Sequence, residues 1–210
     1  MHLRQQRRYE AQQRERVWHD DRFQPAAREV RVGIMGLGVL GQDAARKLKV
    51  MGFDVAGWSR SPKSLEGSPT FAGEEGLDGF LARTDILVCL LPLTAETRGV
   101  LDRSLFVRLA RDGRLGGPAV INAGRGGLQV EDDILACLDD GTLKAATLDV
   151  FETEPLPADS ALWQHPAVTV TPHNAAMSEP DAIGRLVVEQ IRAYERGEAL
   201  RNVVDRQLGY

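Results

Sequence analysis

GIMGLGVLGQ, residues 33–42, places Gly36, Gly38 and Gly41 directly behind the apolar run Val30–Met35 and directly ahead of a helical pattern that reaches about Met51. Glycines at this spacing also mark ordinary turns, so the spacing alone decides little. Its context decides more. A strand that stops at a glycine turn and restarts as a helix aims the helix N-terminus, with its unpaired N–H groups and positive dipole end, at whatever lies above the turn. Gly36 suits the tight turn, Gly38 leaves room for a close approach, and Gly41 lets the helix lie tightly on the strand.

Beyond this unit, helix and strand keep alternating. Strands are expected at Phe53–Trp58, weakly near Phe71, at Asp85–Leu91, Ala119–Asn122, Leu143–Val150 and Val168–Thr171. Helices are expected at Gly76–Arg83, Glu96–Ala110, Glu131–Asp139 and Pro180–Arg196. Strand runs such as ILVCLL, residues 86–91, are apolar on both faces and fit a parallel sheet covered by helices on each side. The pattern is α/β, a doubly wound parallel sheet. At the start of the first βα unit of such a sheet, the glycine loop reads as a pyrophosphate cradle, which makes this a Rossmann-type NAD(P)-binding domain.

Composition is compatible with that reading and excludes several others. The chain has 210 residues, 43% hydrophobic and 27% charged, and contains no apolar run near the roughly 20 residues of a membrane span. A net charge of -4 argues against nucleic-acid partners, although eight arginines fall within residues 1–31. His2, Arg4, Arg7 and Arg8 are not followed by the apolar core of a secretory signal, so a cytoplasmic location is expected. Cys89 and Cys137 lie in apolar patterns and read as buried, reduced thiols, and no metal site is expected. The polar stretch His2–Trp18 reads as a helix with too few apolar positions to stand alone, leaning on something outside the sequence, and 20–28 as a connector.

The end of the second strand carries GWSRSPK, residues 57–63. Sites selective for NAD place an acidic residue here to hold the ribose 2′-hydroxyl, and none is present. Ser59, Arg60, Ser61 and Lys63 offer hydroxyl and cationic groups suited to a 2′-phosphate, so NADPH/NADP is expected, with NADH the weaker alternative. The same residues are also compatible with a polar surface turn. Later strand ends carry NAGRGG (122–127), LDVFETEP (148–155) and VTPHNAA (170–176), which bring Arg125, Glu154 and His173 to the edge where such sheets bind ligands. Singly, each has a structural reading: Arg125 pinning a loop, Glu154 a solvated carboxylate, His173 capping a strand. Behind one nucleotide loop, the three together suggest a site.

Taken with LPLTAETRG (91–99), these motifs resemble the D-2-hydroxyacid dehydrogenase family; WSRSPK and the ending NVVDRQLGY are similar to its glyoxylate/hydroxypyruvate reductase branch. The resemblance implies reduction of a small 2-oxo acid by hydride transfer. It gives Arg125 the substrate carboxylate and carbonyl oxygen, His173 the general-acid role, and Glu154 the task of orienting His173 and favouring its protonated form. It implies cofactor contacts from Gly36, Gly38, Val39, Leu40, Gly41, Trp58, Ser59, Arg60, Ser61, Lys63, Leu91, Pro92, Leu93, Thr97, Ala123, Gly124, Arg125, Asp149, His173 and Ala175. Within this set Asp149 is a support rather than a reactant. Thr94 also lines the cleft, and Gly99 fits the motif without an evident chemical task.

The family has two domains, and only about 30 residues precede the glycine loop here. The resemblance therefore implies a linking and dimerisation helix with connector at 1–28, the dinucleotide-binding domain at 29–177, and at 178–210 a helix and tail that return to a substrate domain of which only remnants are present. It also implies a homodimer and weak or absent turnover by this chain alone, since cleft closure contributes to positioning and water exclusion. Two other readings remain: a non-catalytic NAD(P)-binding or regulatory module, and a D-2-hydroxyacid dehydrogenase of different substrate range.

Overall fold

The computed structural model describes residues 1–176 and 178–205; Met177 and the end of the NVVDRQLGY motif, 206–210, lie outside the described residues. Seven strands form one parallel sheet: β1 (Arg31–Met35), β2 (Asp54–Ser59), β3 (Thr70–Ala72), β4 (Ile86–Cys89), β5 (Ala119–Asn122), β6 (Ala145–Leu148) and β7 (Val168–Val170), in the order β3-β2-β1-β4-β5-β6-β7. The order reverses at β1, because the chain runs outward through β2 and β3 and then returns to continue on β1's other side. That reversal opens a crevice at the carboxyl edge, where the two sets of loops part.

Register brings the strand ends into one row. Met35 pairs with Trp58 and Cys89, Cys89 with Asn122, Asn122 with Leu148, and Leu148 with Val170. Every loop that carries a motif therefore leaves the sheet at the same level. Alternation along each strand feeds two cores, one per face. Val32 and Ile34 join Val30, Leu37, Ala45, Val55 and Leu115 on one side. Met35, Leu87, Cys89, Val120 and Leu148 join Phe80, Phe106, Leu128 and Ile134 on the other. Burial on both faces accounts for strands that read as nearly continuous apolar runs.

The helices are α1 (Gln6–Glu15), α2 (Val39–Val50), α3 (Gly73–Ala82), α4 (Arg103–Phe106), α5 (Glu131–Asp139) and α6 (Pro180–Glu195). The long helix expected over Glu96–Ala110 is not present. Thr94 and Thr97 form a hydrogen-bonded turn, Gly99 takes a positive φ of 66°, and only after the Asp102 cap, whose carboxylate accepts from Leu105 N–H at 2.9 Å, does one short helix form. Side-chain bonds to the backbone outcompete the helical ladder here.

The N-terminal stretch is also shorter and more broken than His2–Trp18 suggests. A 3-10 turn at His2–Arg4 and α1 meet at Gln5, which has a left-handed φ of 49°. The segment has contacts on its own chain: His2 Nε2 lies 2.9 Å from Thr147 Oγ1, and Arg7 Nε donates to the Pro166 carbonyl at 2.8 Å. Trp18 and Phe23, beyond α1, are exposed. The chain divides into two compact units, Met1–Pro172 and His173–Tyr210, the second containing α6, whose Ile183, Leu186, Val187 and Ile191 are exposed.

Candidate active site

The glycine loop is built as its spacing requires. Gly36 sits at φ 111°, and Gly41 packs so closely that a Cβ there would lie 1.8 Å from the Gly36 carbonyl oxygen. A Cβ on Gly38 would meet no protein atom within 4 Å. Gly38 is also the N-cap of α2 and supplies no side-chain cap, so the first turn of that helix presents N–H groups to an uncovered space. This arrangement, which a side chain would fill, fits a pyrophosphate. The loop is braced from behind by two donors on one carbonyl: Gln42 Nε2 and Lys63 Nζ each lie 3.1 Å from Leu37 O. Val39 and Leu40 are exposed at the start of α2, 76% and 60%.

At the end of β2, Trp58 Nε1 donates to the Gly73 carbonyl at 2.9 Å, and buried Ser59 spends its hydroxyl on Ser61 O at 2.8 Å. These bonds shape the turn that carries Arg60, whose side chain is 46% exposed. Lys63 faces the glycine loop. In the loop after β4, Leu91 is buried, Pro92 and Leu93 are half-buried, and the Thr97 hydroxyl donates to Pro92 O at 2.7 Å. Thr97 thus has the structural task of closing this turn.

The loop after β5 carries Arg125. Asn122, fully buried at the end of the strand, accepts from Gly124 N–H at 3.1 Å and donates to Arg125 O at 3.1 Å and Gln129 Oε1 at 2.8 Å. Gln129 donates onward to the Val150 carbonyl at 3.0 Å and to Glu131 Oε1 at 3.3 Å, and Glu131 accepts from Glu152 N–H at 3.1 Å. This network joins the loops after β5 and β6. Half-buried Ala123 and buried Gly124 lead to Arg125, which is exposed between buried neighbours; its Nη1 donates to Gly124 O at 2.7 Å. On the adjoining loop, buried Asp149 accepts from the Thr171 hydroxyl at 2.5 Å, and exposed Glu154 accepts from Phe151 N–H at 2.9 Å. His173 and Ala175, both exposed, open the second unit, where His173 adopts a left-handed φ of 51°.

Asn122, Gln129, Glu131 and Gln42 carry much of this order, and sequence reasoning did not single them out for a site role. The only sequence signal was a polar residue closing the apolar run AVIN. Cys89, at the end of β4, is wholly buried, which pushes its thiol up to about 12 and makes it a packing residue. Among the described residues no cluster of His, Cys, Asp or Glu could hold a metal ion, and no helix is long and apolar enough to cross a membrane.

The model of the D-isomer specific 2-hydroxyacid dehydrogenase NAD binding domain matches residues 1–175. The chain belongs to this family. Glyoxylate/hydroxypyruvate reductase A of Serratia proteamaculans (strain 568) is 48% identical over 179 residues, which cover 85% of this chain and 56% of that one. Among solved structures, a probable 2-hydroxyacid dehydrogenase from Rhizobium etli CFN 42, in complex with NADP, HEPES and L(+)-tartaric acid, superposes with a TM-score of 0.95 at 56% identity. An NADPH-dependent glyoxylate/hydroxypyruvate reductase from Sinorhizobium meliloti, with NADP and sulfate, gives 0.96 at 56% identity. Each match covers 100% of this chain and 66% of the solved one. The chain thus spans 56% to 63% of the first curated relatives it matches. The glycine loop and the Arg125 loop both lie within the residues that match this NAD binding domain.

Proposed function

We propose that this chain is the nucleotide-binding part of an NADPH-dependent reductase that converts small 2-oxo acids, glyoxylate and hydroxypyruvate, to glycolate and glycerate. The observation that carries the reading is the Arg125 loop: an exposed guanidinium on a rigidly networked turn, at the same sheet edge as a glycine loop with room for a pyrophosphate. The cationic turn at Arg60, with no carboxylate of its own, supports NADPH over NADH. Relatives whose structures contain NADP support the same choice.

NADPH supplies the hydride when bound. Arg125 holds the carboxylate and carbonyl oxygen of the 2-oxo acid, using a planar cation that never loses its charge. His173 donates a proton to the carbonyl oxygen as it becomes an alcohol, and Glu154 orients the imidazole and favours its protonated form. Gly36, Gly38, Val39, Leu40 and Gly41 receive the pyrophosphate; Trp58, Ser59, Arg60, Ser61 and Lys63 face the adenosine end. Leu91, Pro92, Leu93, Thr97, Ala123, Gly124, Asp149 and Ala175 complete the cofactor cleft. A homodimer and a cytoplasmic location complete the reading. Residues 29–177 form the dinucleotide domain, flanked by the helix and connector at 1–28 and by the returning tail at 178–210.

Titration with NADPH, followed by NADPH oxidation with glyoxylate and hydroxypyruvate, tests the proposal. Residues 1–210 alone are expected to bind NADPH and turn over poorly, because the chain spans little more than half of its curated relatives. In the active protein, His173→Ala should lower turnover by orders of magnitude with cofactor affinity retained. Near-normal turnover in that variant would remove His173 from the acid role, and absence of NADPH binding would overturn the proposal as a whole.

A further inference from the structure

Arg60 does not wait alone at the end of β2. Its Nη1 donates to Glu96 Oε2 at 2.9 Å, across 36 residues of sequence. Arg60 belongs to the turn after β2 and Glu96 to the turn after β4, so the pair joins the loops on either side of the one that follows β1. Glu96 is held in place by the turn it occupies: Thr94 N–H donates to Thr97 Oγ1 at 2.8 Å, Thr97 Oγ1 donates to Pro92 O at 2.7 Å, and Arg98 N–H donates to Thr94 O at 3.1 Å. Both side chains are partly exposed, 46% for Arg60 and 70% for Glu96, so the pair can open without uncovering a buried charge.

We propose that Glu96 is a specificity-determining residue, whose carboxylate competes with the cofactor's 2′-phosphate for Arg60 and so moderates the preference for NADPH. This rests on the reading that Arg60 receives that phosphate. A carboxylate within hydrogen-bond distance of the guanidinium occupies donors that the phosphate would use, and any approach of the phosphate brings like charges together. A 2′-hydroxyl, being neutral, displaces nothing and leaves the pair closed. Glu96 therefore penalises NADPH and is indifferent to NADH. In the free protein it also neutralises a cation that would otherwise attract other anions.

The test is calorimetric binding of NADPH and of NADH to the 210-residue chain, to Glu96→Gln, to Arg60→Gln and to the double variant. Glu96→Gln should tighten NADPH by about two- to fivefold, the scale of an exposed ion pair, and leave NADH unchanged. The gain should shrink at high salt. It should vanish when Arg60 is already Gln, and that arm also shows whether the effect passes through Arg60. An unchanged NADPH/NADH ratio in Glu96→Gln would overturn the inference, as would weaker NADPH binding, which would make Glu96 a support for Arg60 instead of its competitor. Equal affinity of the unaltered chain for the two cofactors would remove the NADPH reading itself and the inference with it, a result distinct from the other two.

Discussion

Replacing Asn122 by Asp changes one atom of a fully buried side chain and leaves its volume intact, so no cavity enters the argument. The amide nitrogen that donates to Arg125 O at 3.1 Å and Gln129 Oε1 at 2.8 Å becomes an oxygen facing two acceptors. Gln129 cannot relieve both contacts by turning over, because its own amide nitrogen is committed to Val150 O and Glu131 Oε1. Each donor lost at a buried acceptor costs about 1–3 kcal/mol, so the variant should be destabilised by about 2–4 kcal/mol near pH 7.5. Burial and the facing acceptors raise the new carboxyl's pKa in the folded state above its unfolded value of about 3.9. The sign follows. The folded state binds more protons than the unfolded one between the two values, so the penalty from this carboxyl, measured against the unaltered chain, is smallest below about pH 3.9 and grows as pH rises through the folded-state pKa. Urea unfolding followed by far-UV circular dichroism at pH 7.5 and pH 5 should therefore give a smaller loss, relative to the unaltered chain, at the lower pH. A loss that is below about 0.5 kcal/mol and independent of pH would refute the claim that Asn122 organises the Arg125 loop.

Gly41→Ala places a methyl carbon 1.8 Å from the Gly36 carbonyl, against backbone that has little freedom to yield; a loss of about 1–3 kcal/mol and weaker NADPH binding are expected by thermal melting and calorimetry. His2 is held neutral by burial, with the N-terminal ammonium adding to the effect, and its pKa falls from the ordinary 6.5 to about 4. With the folded value depressed, the unfolded chain binds the extra proton first, so stability is lost as pH drops from about 6.5 through about 4. The His2 ring proton in an NMR titration should move with a midpoint near 4, and a midpoint near 6.5 would mean that the N-terminal turn is undocked. Cys89 and Cys137 are both buried with raised pKa values, so neither should react with a thiol reagent at neutral pH until the chain is denatured. Rapid labelling of either in the native chain would contradict the placement of β4 or α5.

Much of the fold was legible because its signals are local and periodic. The apolar runs at 30–35, 86–91 and 119–122 are strands that need both faces covered, and a glycine spacing between strand and helix specifies a turn that few other sequences make. The helix expected at Glu96–Ala110 failed for a reason that periodicity cannot register. The Thr94–Thr97 hydroxyls and the left-handed Gly99 offer the backbone other partners, and those partners win over a modest helical propensity. The N-terminal helix likewise gave no hint that Gln5 would break it, or that His2 would reach Thr147, 145 residues away.

The site divides along the same line. The sequence by itself determined the kinds of group available: glycines that admit a pyrophosphate, a cation where a carboxylate would select NADH, and an arginine set between glycines at the end of a strand. These are properties of residue type and short spacing, and they survive without coordinates. Only the tertiary structure decided that strand register would bring those ends into one row, that Asn122, Gln129 and Glu131 would lock the Arg125 loop to the next one, and that Glu96 would face Arg60. Each depends on contacts between residues brought together by crossovers, whose partners are chosen by the packing of the whole sheet and leave no mark in the spacing of the chain.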